Sequence, residues 1–144
     1  LKTSVAAGKI SEEYAGLINL KRFEEFLQTD LGKRMGSAYK KGLLFREQPF
    51  IMELGADMID KEYPSDEKIL VQGIVDAFFF EDDKVYIVDY KTDRVEQGKA
   101  GEKALVERYH KQLELYADTI SRVTGKETGG CYIYSTCLKK EILI

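Results

Sequence analysis

Two runs rich in β-branched and aromatic residues, Ile69–Phe80 and Lys84–Tyr90, flank the acidic triplet Glu81-Asp82-Asp83. A chain written this way is committed to a β-hairpin at its centre. With the turn centred between Asp82 and Asp83, Glu81 faces Lys84, Phe79 faces Tyr86, and Asp76 faces Asp89. Directly opposed residues point to one face, with Cβ atoms roughly 4.5–5.5 Å apart. An odd-length turn would break that register. Two carboxylates so placed in apolar strands repel each other more strongly as water is excluded. Either a raised pKa on one of them or a cation must compensate, and a hard divalent ion such as Mg²⁺ takes oxygen ligands of this kind.

Strand alternation puts Lys91 on the same face as Asp89. An ammonium at that distance can orient water or stabilise charge on a phosphoryl group. The plain alternative makes Asp76 and Asp89 solvent-facing carboxylates with Lys91 as their ion-pair partner. Against it, Asp76 lies between Gly73-Ile74-Val75 and Ala77-Phe78-Phe79-Phe80, where a carboxylate is costly without a reason.

Around this hairpin the pattern reads as helices, three strands, a long helix and one or two strands. That is an α/β domain with a central mixed sheet flanked by helices. Ser11 is placed to cap a helix through Ile18. Asn19 is a second cap, before Leu20, Phe23 and Leu27 at helical spacing. Thr29 or Asp30 opens a third helix through Met35, ended by Gly36. Residues 1–41 thus form a helical lead-in and 42–144 the core of a single domain. Leu43–Glu53, with Pro49, suits an edge strand or a bulged one. A stripe of Leu105, Tyr109, Gln112, Leu113, Tyr116, Ile120 and Val123 predicts the long helix, with Gly125 as its C-cap and Gly130–Ser135 as the strand beyond.

At 144 residues, 44% hydrophobic and 33% charged, this is an ordinary globular domain. No apolar run approaches the ~20 residues of a membrane span, and nothing resembles a secretion signal, so no membrane partner is expected and the cytoplasm is. Cys131 and Cys137 are expected to be reduced thiols. A net charge of −3 argues against gripping nucleic acid by charge alone. The basic residues with some claim to DNA are Lys33, Arg34, Lys40, Lys41, Arg94, Lys99 and Arg108, most of them expected only to solubilise. The chain opens at Leu1 without methionine and stops in strand-like Glu141-Ile142-Leu143-Ile144, which suggests a piece of a longer polypeptide.

Gly73-Ile74-Val75-Asp76, Asp89-Tyr90-Lys91-Thr92 and Gln112-Leu113-Glu114-Leu115-Tyr116 resemble, in order, the GxxD, DYKT and QxxxY motifs of the RecB-like branch of the PD-(D/E)XK nucleases. Asp30-Leu31-Gly32 and Arg46-Glu47-Gln48-Pro49-Phe50 extend the likeness, which is strongest to the C-terminal nuclease domains of AddA/RexA-type helicase-nucleases and covers about residues 20–144. The resemblance implies a restriction-endonuclease-like fold and a Mg²⁺-dependent (Mn²⁺ possible) DNA exonuclease module acting in double-strand-break processing and recombinational repair. Its partners would be DNA, the ATP-dependent helicase part of its own chain and a second, AddB-like subunit. It makes Asp76 and Asp89 metal ligands, with the Tyr90 carbonyl and Glu47 as further candidates. Lys91 becomes the catalytic lysine, with Gln112 and Tyr116 positioning the site or contacting DNA. The family's upstream metal-binding histidine has no counterpart here. The only histidine, His110, lies inside the long helix, which puts activity of this stretch alone in question. No Walker-type phosphate loop occurs. The alternatives are a stand-alone phage-type recombination exonuclease and a non-catalytic DNA-guiding or subunit-docking module on the same fold. Intact Asp76, Asp89, Lys91, Gln112 and Tyr116 count against the last.

Overall fold

The computed structural model describes residues 20–58 and 60–144. The helix expected over Ser11–Ile18 and the cap expected at Asn19 lie outside them. Helices α1 (Leu20–Gln28) and α2 (Asp30–Lys40) lead into strand β1 (Leu44–Gly55) and a 3-10 turn at Ala56–Met58. Strands β2 (Lys68–Glu81) and β3 (Lys84–Lys91), helix α3 (Lys99–Thr124), and strands β4 (Glu127–Ser135) and β5 (Lys140–Leu143) follow. The five strands lie side by side in chain order. All neighbours are antiparallel except β3 and β4, which run parallel. A parallel pair needs a long crossover, and α3 supplies it. The mixed sheet and flanking helices match the expectation.

Alternation splits the sheet's apolar residues between two layers. Val75, Phe78, Val85, Ile87, Ile133 and Ile142 pack under Leu105, Leu113, Tyr116 and Ile120 of α3. Ala77, Phe79, Val88 and Tyr134 pack under Phe26 of α1 and Leu31, Met35 and Ala38 of α2. The expected stripe of α3 holds in its middle, but Val123 is 78% exposed because the sheet has ended beneath it, while Gly101 and Thr119 are buried. In α1 the buried residue is Phe26, and Phe23 is 56% exposed.

The close approach of α1 to α2 depends on Gly32, since a Cβ there would lie 2.2 Å from the Phe26 carbonyl oxygen. Thr29 caps α2, its hydroxyl accepting from the Gly32 N–H at 3.0 Å. The Glu141 carboxylate of β5 accepts from the Leu31 N–H at 2.8 Å, a favourable place for negative charge. Gly36 does not end α2. The helix runs on because Ala38 is buried beyond it, and it closes at Gly42 (φ 72). There the Gly42 N–H donates to Tyr39 O and the Leu43 N–H to Ala38 O, a Schellman closure. Arg34, one of the basic DNA candidates, is a structural clamp instead. Its guanidinium lies 4.4 Å from the Tyr86 ring centroid and donates to Glu81 and to the Tyr132 hydroxyl. Cys131 and Cys137 are both free thiols. Among the described residues no helix is long and apolar enough to cross a membrane.

The β2–β3 turn has the expected register, from Glu81↔Lys84 to Ala77↔Val88. Asp82 (φ 50) and Asp83 (φ 63) are both left-handed, which makes it a type I′ turn, for which Asn-Gly is the better sequence. The double substitution Asp82→Asn with Asp83→Gly is expected to stabilise the fold by about 1 kcal/mol through relieved backbone strain. Urea unfolding measures it; an unchanged midpoint would mean that the turn carries no strain.

Candidate active site

The ladder between β2 and β3 stops one pair short of Asp76 and Asp89. Where the next rung would form, the Tyr90 N–H donates instead to Asp76 Oδ2 at 2.9 Å. The ladder between β1 and β2 is interrupted at the same level. Arg46 pairs with Ala77 and Gln48 with Val75, while Glu47 between them takes φ 50 opposite Asp76. Alternation slips here too, since Val75 and Phe78 pack in the same layer under α3. Three departures from regular sheet therefore coincide at Asp76, and together they open a notch in the sheet beside a carboxylate.

Asp89 forms the other wall of the notch and is only 3% exposed. Burial pushes its carboxyl above the ordinary range. The Lys91 ammonium opposes that shift and the charge of Asp76 adds to it. Lys91 Nζ lies 2.7 Å from Asp89 Oδ2, a close ion pair on the buried oxygen. Lys91 Nζ also donates to Gln112 Oε1 at 3.3 Å and sits 4.0 Å from the centroid of the Tyr109 ring. Burial works against the charge on Lys91, but Asp89, Tyr109 and Asp76 outweigh it and hold the ammonium above its ordinary pKa. The relay ends on α3, where Gln112 Nε2 donates to the Tyr116 hydroxyl at 2.7 Å. Burial raises the pKa of that phenol.

Asp76, Asp89, Lys91, Gln112 and Tyr116 are thus gathered into one network. Tyr90 and Glu47 stand differently. The Tyr90 ring lies across the sheet, edge-on to Phe26 at 5.7 Å, its hydroxyl pushed up to about 12 by burial and by Asp76. Its backbone is the part that faces the notch. The N–H and C=O of one strand residue point the same way along the sheet, and Lys91 O is taken up on the β4 side by the Thr136 N–H at 3.0 Å. The Tyr90 carbonyl therefore points with its N–H toward Asp76. Glu47 is exposed; with Asp76, Tyr90 and Arg46 it lines an open cavity of about 640 Å³. Among the described residues no three His, Cys, Asp or Glu side chains group closely enough to hold a metal ion, so Glu47 is not joined to the carboxylate pair. His110 contacts Glu114 at 3.4 Å on its own helix.

Some residues escaped the sequence reading of the site. Tyr109, read only as part of the apolar stripe, carries the Lys91 ammonium on its ring, and its hydroxyl donates to Asp93 at 2.8 Å. The signal for it was its place one turn before Gln112. Phe50 lies over Gly73, where a Cβ would come within 2.9 Å of its ring, and meets Tyr116 edge-on at 5.5 Å. The glycine three residues before Asp76 makes room for an aromatic that props the relay.

The sequence profile of the PD-(D/E)XK nuclease superfamily matches residues 9–141. The chain belongs to that superfamily. It is also similar to the AddA-type subunits of the ATP-dependent helicase/nucleases of several bacteria. With that of Clostridium perfringens (strain 13 / Type A) it is 39% identical over 140 residues, covering 94% of this chain and 11% of the relative. With Thermoanaerobacter pseudethanolicus it is 40% identical over 137 residues, covering 93% and 11%. With Listeria monocytogenes serovar 1/2a it is 37% identical over 121 residues, covering 81% and 10%. The chain spans about a tenth of the length of these relatives. For a PD-(D/E)XK nuclease, the notch with its two carboxylates and lysine is the natural candidate for the active site.

Close carboxylates cost stability when nothing neutralises them. Asp76→Asn keeps an acceptor for the Tyr90 N–H while removing the charge beside Asp89. In EDTA it is expected to stabilise the protein by on the order of 1 kcal/mol. Thermal unfolding tests this, and a lower melting temperature for the variant would show that repulsion is not what the notch stores.

Proposed function

We propose that this chain is a divalent-metal-dependent DNA nuclease module that hydrolyses phosphodiester bonds as part of an ATP-dependent helicase–nuclease engaged in double-strand-break processing. One observation carries the reading. Asp76 and Asp89 converge where the β2–β3 ladder opens, and Lys91 is held against them by Gln112 and Tyr109. Hydrolysis breaks one P–O ester bond as a water oxygen forms a new bond to phosphorus. The site must therefore orient the water and neutralise charge that grows on the phosphoryl oxygens and the departing oxygen.

The donor set fits a hard cation. Asp89 Oδ2 is buried with the Lys91 ammonium 2.7 Å away, Asp76 retains its second oxygen, and the Tyr90 carbonyl faces the same notch. Oxygen donors of this kind suit Mg²⁺, with Mn²⁺ the nearest substitute. Asp76, Asp89 and the Tyr90 carbonyl would hold it, and Glu47, which lines the same open cavity as Asp76, is a further candidate. A bound divalent ion supplies Lewis-acid stabilisation of the phosphoryl charge. Lys91, kept as an ammonium, presents a second positive centre from the same strand and acts electrostatically. Gln112 fixes the ammonium's position, and Tyr116 fixes Gln112. The setting in a helicase–nuclease of more than one polypeptide is supported by the names that the relatives carry.

The test uses the full-length polypeptide, with end-labelled linear duplex, Mg²⁺ and ATP. Asp76→Ala, Asp89→Ala and Lys91→Ala are each expected to reduce phosphodiester hydrolysis by at least about 10²-fold while strand separation continues. Calorimetric titration with Mn²⁺ should detect binding to wild type and none to Asp89→Ala. Hydrolysis by Asp89→Ala and Lys91→Ala at the wild-type rate would end the assignment.

A further inference from the structure

A second cavity, of about 540 Å³, opens where β3 and β4 end, and Arg22, Thr92, Arg94, Thr136 and Lys139 line it together with Val95 and Cys137. Its floor is the carboxyl end of the one parallel strand pair, because Thr92 follows the last residue of β3 and Thr136 the last of β4. Ligands of open α/β sheets gather at such strand ends. The floor shares its backbone with the catalytic strand. Thr136 N–H and hydroxyl both approach Lys91 O, at 3.0 and 3.4 Å.

Three elements bring a cation each: Arg22 from α1, Arg94 from the loop after β3, and Lys139 from the turn between β4 and β5. In a chain of net charge −3, three cations lining one opening against the Glu25 carboxylate paired with Lys139 are a local excess of positive charge, although Arg22 is itself engaged. Among the described residues Arg94 has no hydrogen-bond or ion-pair partner. Lys139 is tethered by Glu25 at 3.1 Å, an exposed pair that adds little. Lys139 also adopts φ 54, a conformation that glycine or asparagine takes at less cost. The turn thus keeps a long basic side chain where the backbone alone would favour glycine.

We propose that this cavity binds a backbone phosphate of the DNA strand, adjacent to the one that is cut, and so sets the register of the strand over Asp76 and Asp89. Arg94 and Lys139 are the principal contacts, with the Thr92 hydroxyl as an additional donor, since the Thr136 hydroxyl donates to Lys91 O. The arrangement is an anion site without base readout, which suits a nuclease that cuts without regard to sequence. The inference deepens the nuclease reading and rests on it for the identity of the ligand as DNA.

The probe is a short single-stranded DNA oligonucleotide at low salt in EDTA, so that binding is read without hydrolysis. Arg94→Ala and Lys139→Gly are each expected to weaken binding about fivefold and to lower the salt dependence by roughly 0.7 per lost phosphate contact. Arg94→Lys should recover most of the loss, and Lys126→Ala, at the opposite end of the sheet, should change neither quantity. Lys139→Gly relieves the left-handed backbone, so its stability should be equal or higher while its binding falls, which a merely structural lysine would not give. Inorganic phosphate should compete, more weakly than the oligonucleotide. Wild-type affinity and salt slope in both Arg94→Ala and Lys139→Gly would overturn the proposal. Loss of hydrolysis in Asp89→Ala is a separate readout, so this cavity and the carboxylate site can fail independently.

Discussion

The repulsion between two carboxylates in a largely apolar sheet is the constraint around which the structure is arranged. Asp89 cannot be relieved by retreating into water, because its strand is anchored by buried residues such as Ile87 and Val88, and Asp76, half-buried between Val75 and Ala77, meets water only at the open cavity it lines with Glu47. The sheet yields instead. The β2–β3 ladder ends, Glu47 turns left-handed, alternation slips beside Asp76, and a main-chain N–H turns to the Asp76 carboxylate. Each departure costs something, since an unpaired rung and a non-glycine residue at positive φ are both unfavourable. Their coincidence at one level makes the notch a property of the fold and not of any one side chain.

Lysine placement follows from the same constraint. An ammonium beside two carboxylates offsets one of their two charges, and Lys91 pairs with Asp89 at 2.7 Å. The Gln112 amide and the face of Tyr109, both on α3, hold it there. The helix that makes the parallel β3–β4 pair possible is thus also the one that positions the lysine. Phe50 and Gly73 extend this dependence to β1 and β2: the ring that fills the glycine's vacant space meets Tyr116, so the relay is braced from the edge of the sheet.

Much of this was legible in the residues, for physical reasons. The hairpin register follows from a two-residue turn of acidic residues between apolar runs, and counting from that turn sets Asp76 against Asp89. Alternation then gives Lys91, and one helical turn relates Gln112 to Tyr116. What stayed hidden depends on contacts between elements distant in sequence. Gly36 reads as a helix end, yet the helix continues because Ala38 finds a buried place on the sheet, and only Gly42 has the left-handed φ of a true end. Val123 reads as core by periodicity alone, but periodicity cannot tell where the sheet beneath a helix stops. Arg34 reads as a surface cation because its aromatic partners Tyr86 and Tyr132 lie far along the chain. Glu47 reads as a regular strand residue, but its left-handed backbone, invisible to alternation, sets it at the wall of the open cavity.

The charge distribution connects these points to function. A site built from carboxylates repels the phosphates it is proposed to cut, and the domain as a whole carries net charge −3. Under the proposed function, affinity for DNA is then either local, carried by a few cations, or supplied from elsewhere in an assembly. In the proposed helicase–nuclease setting, weak binding at the cutting site is an advantage, because a tight grip there would oppose the movement of a strand fed by a motor. Chemistry and affinity would then be best held by different parts of the assembly. In that arrangement the local cations hold a strand only long enough to align it.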